Sequence, residues 1–304
     1  MTRHVAVLMG GWSAEREISL VSGRAAAAAL AGRGYRVSEI DVGRDLPARL
    51  AELRPDVVYN ALHGRFGEDG TVQGLLEIMG IPYSHSGVLA SSLAMDKAMA
   101  KRLFASAGLR CPEGEVTTLD ALADGAREPP VPLPCVVKPN NEGSSVGVKI
   151  VREPADWRID RNHWPYGPEV LVERYIPGRE LTVGVLGDRP LAVTEIRPRQ
   201  GFYDYYAKYT EHQAEHLIPA PLPGELYART MDQALCAHRL LGCRGVSRAD
   251  FRLDETDPDG LYLLEVNTQP GMTPLSLVPE QAAHVGIGFA DLVVQLVEAA
   301  RCDT

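Results

Sequence analysis

The stretch RADFRLDETDPDGLYLLEVNTQPGMTPLS, residues 248–276, places charged chemistry on a strand pattern. Two apolar runs, 247–253 and 260–266, flank the turn-forming DETDPDG. Asp250 and Glu265 interrupt the two runs. Asn267 lies two residues beyond Glu265, hence on the same face of an extended chain. A hairpin would bring these three oxygen donors to one point. Oxygen-only donors suit Mg²⁺, which takes a few carboxylate oxygens and completes its shell from phosphate and water. Arg248 adds a cation beside them, and Gly271 follows as a backbone donor. The pattern reads as an ATP-type site. An ordinary hairpin with solvated acids would account for one such carboxylate, but less well for two acids and an amide at the ends of apolar strands.

Working outward, the first ~95 residues alternate strands and helices, as an α/β layer does. Strands are predicted at 4–11, 35–42 and 56–62, and helices at 18–34 and 71–80. An open parallel sheet gathers ligands at the carboxyl ends of its strands, where Gly10-Gly11 and His63-Gly64 stand. A second unit, 96–185, opens on a helix predicted over 92–108. It continues with strands at 134–139, 146–151, 169–176 and 180–186. Residues 119–133 read as a loop, and the Pro-rich segment 152–168 has room for a short helix at most. The third unit, 186–304, holds an aromatic loop FYDYYAKYTEHQ (202–213), a helix over 227–242, the hairpin and a closing helix over 288–301.

Composition narrows the function. The chain has 304 residues, 45% hydrophobic and 23% charged, enough for two or three ordinary cores. A diffuse formal charge of −9 and the lack of clustered Lys and Arg argue against nucleic acid as a partner. No run of ~18 apolar residues predicts a membrane span, and the N-terminus lacks the apolar length of a secretion signal. Five scattered cysteines show neither metal spacing nor a disulfide framework, which points to the reducing cytoplasm.

Further candidates are weaker one by one. The loop KPNNEGSSVGV (138–148) offers small residues, Gly143, Ser144, Ser145 and Gly147, whose N–H groups suit phosphate oxygens, and Lys138 adds a point charge. It also reads as a polar turn, and it is not the P-loop pattern. Lys97 alone reads as a surface lysine. Glu173 and Glu180 flank a turn at Pro177-Gly178. Glu180 would accept from ribose hydroxyls while the backbone near Arg174–Ile176 meets a purine edge, although these residues alone favour two exposed hairpin carboxylates. Glu15, after the Gly10-Gly11 turn, suits either a helix dipole or a substrate ammonium. His63 ends a strand, Lys208 and Tyr209 sit in the aromatic loop, and Ser276 lies near the hairpin.

Taken in order, the motifs VLMGGWSAEREISLVSG, ALHGRFGEDGTVQG, SGVLASSLAMDK, VVKPNNEGSSVGV, FYDYYAKY and LLEVNTQPGMTPLSLVP resemble the ATP-grasp superfamily, and within it the D-alanine–D-alanine ligase family. The resemblance runs almost end to end. It implies an ATP-grasp fold, α/β at the N-terminus and α+β overall, with three domains at 1–95, 96–185 and 186–304. It implies ATP as co-substrate, held by Lys97 and Lys138 on the phosphates. Glu173, Arg174, Ile176 and Glu180 would contact adenine and ribose. Two Mg²⁺ ions, or Mn²⁺, would be held by Asp250, Glu265 and Asn267. Glu15 and His63 would receive the first D-alanine, with Ser144 and Tyr209 hydrogen-bonded to Glu15. Arg248 and the Gly271 N–H would form an oxyanion site, and Lys208, Ser276 and Leu277 a pocket for the second D-alanine's carboxylate. A cytoplasmic homodimer is implied as well. Retention of AKYT (207–210) favours a dipeptide product over a depsipeptide. The alternatives are a ligase for another acid and amine, or a non-catalytic nucleotide-binding protein. A dinucleotide oxidoreductase lacks its glycine fingerprint here.

Overall fold

The computed structural model describes residues 2–123, 128–143, 147–157, 159–160, 164–198, 214–273 and 276–303. The first sheet is parallel, as expected. β1 (His4–Met9) lies between β2 (Arg36–Asp41) and β3 (Val57–Asn60). All six residues of β1 are buried because both of its faces are covered, which explains an apolar run without alternation. Val5 and Val7 pack toward α1 (Arg16–Gly32) and the C-terminal α9 (Phe289–Glu298), meeting Leu30, Leu292 and Leu296. Ala6 and Leu8 point the other way, toward α2 (Leu46–Leu53) and α3 (Thr71–Met79), meeting Leu50 and Leu76. The last helix of the chain thus closes the core of the first sheet. Helix α2 was not among the predicted elements.

The helix predicted over 92–108 is two helices, α4 (Val88–Met95) and α5 (Lys97–Ser106). The break is Asp96, whose extended backbone (ψ 94°) lets its carboxylate accept from the Met99 N–H at 3.0 Å. An aspartate at an N-cap satisfies one of the orphan donors of the first turn, so the local preference outweighs continuation. Lys97 thereby becomes the first residue of a new helix.

The central sheet is antiparallel in the order β4 (Gly114–Thr118), β7 (Glu169–Arg174), β5 (Cys135–Pro139), β6 (Lys149–Val151). A short helix α6 (Leu119–Ala123) begins the segment predicted as loop, and a single 3₁₀ turn at Pro154–Asp156 is the helical content described within 152–168. The larger sheet runs β10 (Ala214–Leu217), β9 (Arg189–Pro198), β8 (Arg179–Leu186), β11 (Val246–Leu253), β12 (Leu261–Asn267), again antiparallel. β8, grouped with the central unit in the sequence reading, is hydrogen-bonded inside this larger sheet between β9 and β11. The passage from one sheet to the other is therefore the Pro177-Gly178 turn. Helix α7 (Gly224–Leu240) covers one face with Ala234 and Ala237 against Val183, Val193 and Phe251. Helix α8 (Leu277–His284) packs against β8 and β9 and, with Val278 and Ala282, joins the core of the first sheet.

Candidate active site

The hairpin that opened the sequence reading forms, and its register does what the pattern demands. Asp250 stands opposite Glu265, and Arg248 opposite Asn267. The pairing slips after Asp250, so that Phe251 meets Leu263 and Leu264 is an extra residue. Such a bulge re-aims side chains. Leu264 and Glu265, consecutive in sequence, both line the same cleft. Asp250 accepts from Arg248 through Nε (2.8 Å) and Nη2 (2.7 Å), and from Thr182 Oγ1 (2.6 Å). Asn267 Oδ1 accepts the Gln269 N–H at 2.8 Å, and Glu265 lies 3.5 Å from Lys97 Nζ.

Two carboxylates and a carboxamide are an all-oxygen donor set. Among the described residues no group of three His, Cys, Asp or Glu side chains is placed to hold a metal alone. That combination fits a hard cation which depends on nucleotide oxygens for much of its shell, and fits Zn²⁺ poorly.

Two chambers meet at this hairpin. The larger, about 800 Å³, lies between the central and larger sheets. Val136, Val148, Ile176 and Leu264 supply apolar wall, while Lys97 and Lys138 stand among acids elsewhere in the lining. All six residues expected to hold nucleotide, Lys97, Lys138, Glu173, Arg174, Ile176 and Glu180, line it. Glu173 has a second task. It is 3% exposed and its carboxylate is shared between Lys138 Nζ (2.6 Å) and Lys101 Nζ. Burial opposes the charge of Glu173, but the two ammonium groups outweigh it and hold this carboxyl below the usual range. Burial likewise opposes Lys138, yet Glu173 and Glu265 keep its ammonium above the ordinary lysine value. Lys101 goes the other way. Burial lowers it, with Glu173 only partly offsetting this and Lys138 adding repulsion. Sequence reasoning missed Lys101, although it follows Lys97 by one helical turn on the same face. It also missed Arg252, two residues beyond Asp250 on one strand face. Arg252 donates to the carbonyls of Ile176 (3.1 Å) and Gly178 (2.8 Å) and faces Glu180 at 3.5 Å, so it braces the turn between the sheets.

The second chamber, about 610 Å³, opens toward the parallel sheet. Glu15, His63, Glu68, Glu142, Arg248, Asn267 and Gly271 line it, and Lys97, Glu142, Gly143 and Glu265 border both chambers. Glu15 sits at the head of α1 and is 6% exposed. Gly64 makes room for it: with φ +69°, an added Cβ there would lie 2.8 Å from the Glu15 carboxylate. Glu68 is the residue missed on this side. Its Oε1 is 3.1 Å from His63 Nδ1, and both side chains are buried. Its only sequence signal was five-residue spacing from His63 across a glycine turn. Burial raises the Glu68 carboxyl, with Glu15 adding to the effect and His63 opposing it. Burial lowers His63, but Glu68 and Glu15 outweigh it and the imidazole ends above its ordinary 6.5. The stabilisation from that partnership is complete below pH 6.5 and fades as pH rises through the elevated value. Glu68→Gln is expected to move the His63 titration to lower pH, because burial then acts with less opposition. Ring-carbon NMR of His63 checks this, and an unmoved titration would remove Glu68 as the cause.

Ser276 stands just before α8 without capping it, and its Oγ accepts from the Thr273 N–H at 3.0 Å; it lies against Gly271, where an added Cβ would be 3.1 Å away. Leu277 is buried with Ile196 and lines neither chamber. Ser144, Lys208 and Tyr209, with the 202–213 loop, lie outside the described residues.

Two family models match, described as the D-ala D-ala ligase C-terminus over residues 117–298 and the D-ala D-ala ligase N-terminus over 46–86. The D-alanine–D-alanine ligase of Acidiphilium cryptum is 58% identical over 303 residues, 99% of both chains. That of Xanthobacter autotrophicus is 55% identical over the full length of both. The crystal structure of the Bacillus anthracis D-alanine–D-alanine ligase complexed with ATP superposes with a TM-score of 0.81 at 33% identity, covering 98% of this chain and 97% of that one. With both family models matched in order and relatives above half identity across its length, this chain belongs to the D-alanine–D-alanine ligase family, with an ATP-grasp fold.

Proposed function

We propose that the two chambers are consecutive stations of one reaction, the ATP-dependent joining of two D-alanines to D-alanyl-D-alanine for peptidoglycan precursors. The observation that carries this reading is their shared wall. Lys97 and Glu265, 3.5 Å apart, border both chambers, so a γ-phosphate entering from one side would meet a carboxylate entering from the other.

ATP occupies the larger chamber, base against Val136, Ile176 and Leu264, ribose near Glu180, phosphates toward Lys97 and Lys138. Asp250, Glu265 and Asn267 would hold Mg²⁺, which when bound neutralises charge on the transferring phosphoryl group. The first D-alanine enters the second chamber, its ammonium toward the acids Glu15 and Glu68 and its carboxylate toward Arg248. A carboxylate is a poor acyl donor, and phosphorylation converts it into an acyl phosphate with a good leaving group. Lys97 and Lys138 offset charge at the transferred group. The amine of the second D-alanine then attacks, and Arg248 with the Gly271 N–H receives the developing oxyanion. In the same reading Ser276 and Lys208 border the second D-alanine, and Ser144 and Tyr209 act with Glu15. The reading includes a cytoplasmic homodimer; no described helix is long and apolar enough to cross a membrane.

The test is phosphate release with ATP and Mg²⁺, titrating D-alanine, L-alanine and D-lactate, with product mass determined. Release that requires D-alanine and yields the dipeptide is expected. Release with L-alanine or D-lactate alone would overturn the substrate assignment.

A further inference from the structure

The wall of the second chamber is built from two distant parts of the chain. His63 and Glu15 follow strands of the parallel sheet, while Glu265 and Asn267 end β12. Something must hold these ends in register, and one side chain spans them. Gln269 is 2% exposed. Its Nε2 donates to the main-chain carbonyl of Asn60, the last residue of β3, and its Oε1 lies 3.4 Å from Asn60 Nδ2. The reverse amide orientation would set oxygen against carbonyl oxygen, so the donor direction is dictated by the partners. Its main-chain N–H donates to Asn267 Oδ1 at 2.8 Å. Asn60 is itself fastened, with Nδ2 donating to the Gly67 carbonyl (3.0 Å) and Oδ1 accepting the Leu62 N–H (3.1 Å).

We propose that Gln269 is a positioning residue, whose side-chain amide locks the Asn267 end of the hairpin to the His63 end of β3 and so sets the shape of the first-substrate chamber. A buried amide costs free energy unless its partners are in place, so a satisfied one specifies a single docking of the two ends. An apolar side chain of similar length would fill the space without choosing the register. The bond to Asn267 is a main-chain one and survives replacement of the side chain, so the proposed Mg²⁺ ligand keeps its partner while the tie to Asn60 is lost. Its loss should therefore separate the two substrates. The role rests on reading the second chamber as the D-alanine site.

The experiment compares Gln269→Met and Gln269→Glu, both lacking the right donor, with Gln73→Met. Gln73 is equally buried and donates to the Gly67 carbonyl at 2.8 Å, and among the described residues its side chain makes no hydrogen bond to the hairpin. Steady-state kinetics, equilibrium ATP binding and thermal melting are measured for each. Both Gln269 variants are expected to raise the KM for the first D-alanine and lower kcat by about tenfold or more, since misplacement on the order of 1 Å has that scale of effect. ATP affinity should stay within roughly twofold, and Gln73→Met should melt earlier with kinetic constants near those of the parent. Parallel loss of D-alanine and ATP affinity would overturn the role, as would unchanged kinetics. Unfolding of both Gln269 variants while Gln73→Met stays folded would do the same, leaving Gln269 a fold residue. If the parent shows no D-alanine-dependent turnover, the proposed function falls first and takes this role with it.

Discussion

Arg248→Ala is expected to cut turnover by about 10²–10³-fold, the usual cost of removing one donor from an oxyanion site, while equilibrium ATP affinity stays near that of the parent. The split follows from where Arg248 stands. It lines the second chamber and is absent from the wall of the nucleotide chamber. Its bidentate bond to Asp250 complicates the variant, because a carboxylate then loses its cation. Asp250 keeps the Thr182 hydroxyl at 2.6 Å, so it remains hydrogen-bonded. Single-turnover kinetics with nucleotide binding measured separately distinguish the outcomes. Equal losses in binding and turnover would assign Arg248 to holding the hairpin rather than to the reacting carboxyl.

The largest effect on stability is expected from Glu173→Ala. This carboxylate is the shared counter-ion of Lys101 and Lys138, all three being less than a tenth exposed. Removing one member of a buried ion pair leaves charge uncompensated and costs about 3–5 kcal/mol. For a protein of this size that corresponds to a fall in Tm on the order of 10 °C. The sign of the pH dependence follows from the depressed carboxyl of Glu173. Its contribution is fully present above the ordinary 4.5 and is lost as pH falls through the folded value, so parent and variant should converge in acid. Calorimetry between neutral and acid pH checks both points. A constant gap across that range would show that the lost energy is packing and not charge. ATP affinity should fall together with stability, because Lys138 loses the partner that aims it into the nucleotide chamber.

Much of this was legible in the residues. The hairpin is the clearest case. Alternation placed Arg248 and Asp250 on one face of their strand and Glu265 and Asn267 on one face of theirs, and cross-strand pairing put all four on the same side of the sheet. Lys138 was legible as the end of a strand before a small-residue loop. Lys101 was less so, because a lysine one turn after Lys97 reads as a solvated helix face unless a buried carboxylate is known to lie opposite. Glu68 likewise becomes a site residue only when the turn after His63 folds its carboxylate back onto the ring. The break at Asp96 was readable as an N-cap, but the continuous apolar pattern on either side favoured a single helix.

The parallel first sheet, the hairpin with its oxygen donors and membership of the ligase family were legible in residue order alone, the last through motifs in a fixed order. These are local properties: period, turn chemistry and residue type act over a few positions. That β8 pairs into the larger sheet, that the last helix closes the first core and that Glu173 binds two lysines came only with the folded chain. It alone decided that Gln269 reaches Asn60 across 209 residues of chain. Those outcomes depend on which buried charges and amides find partners when distant segments dock, and a partner's position is a property of the fold rather than of its neighbours in sequence.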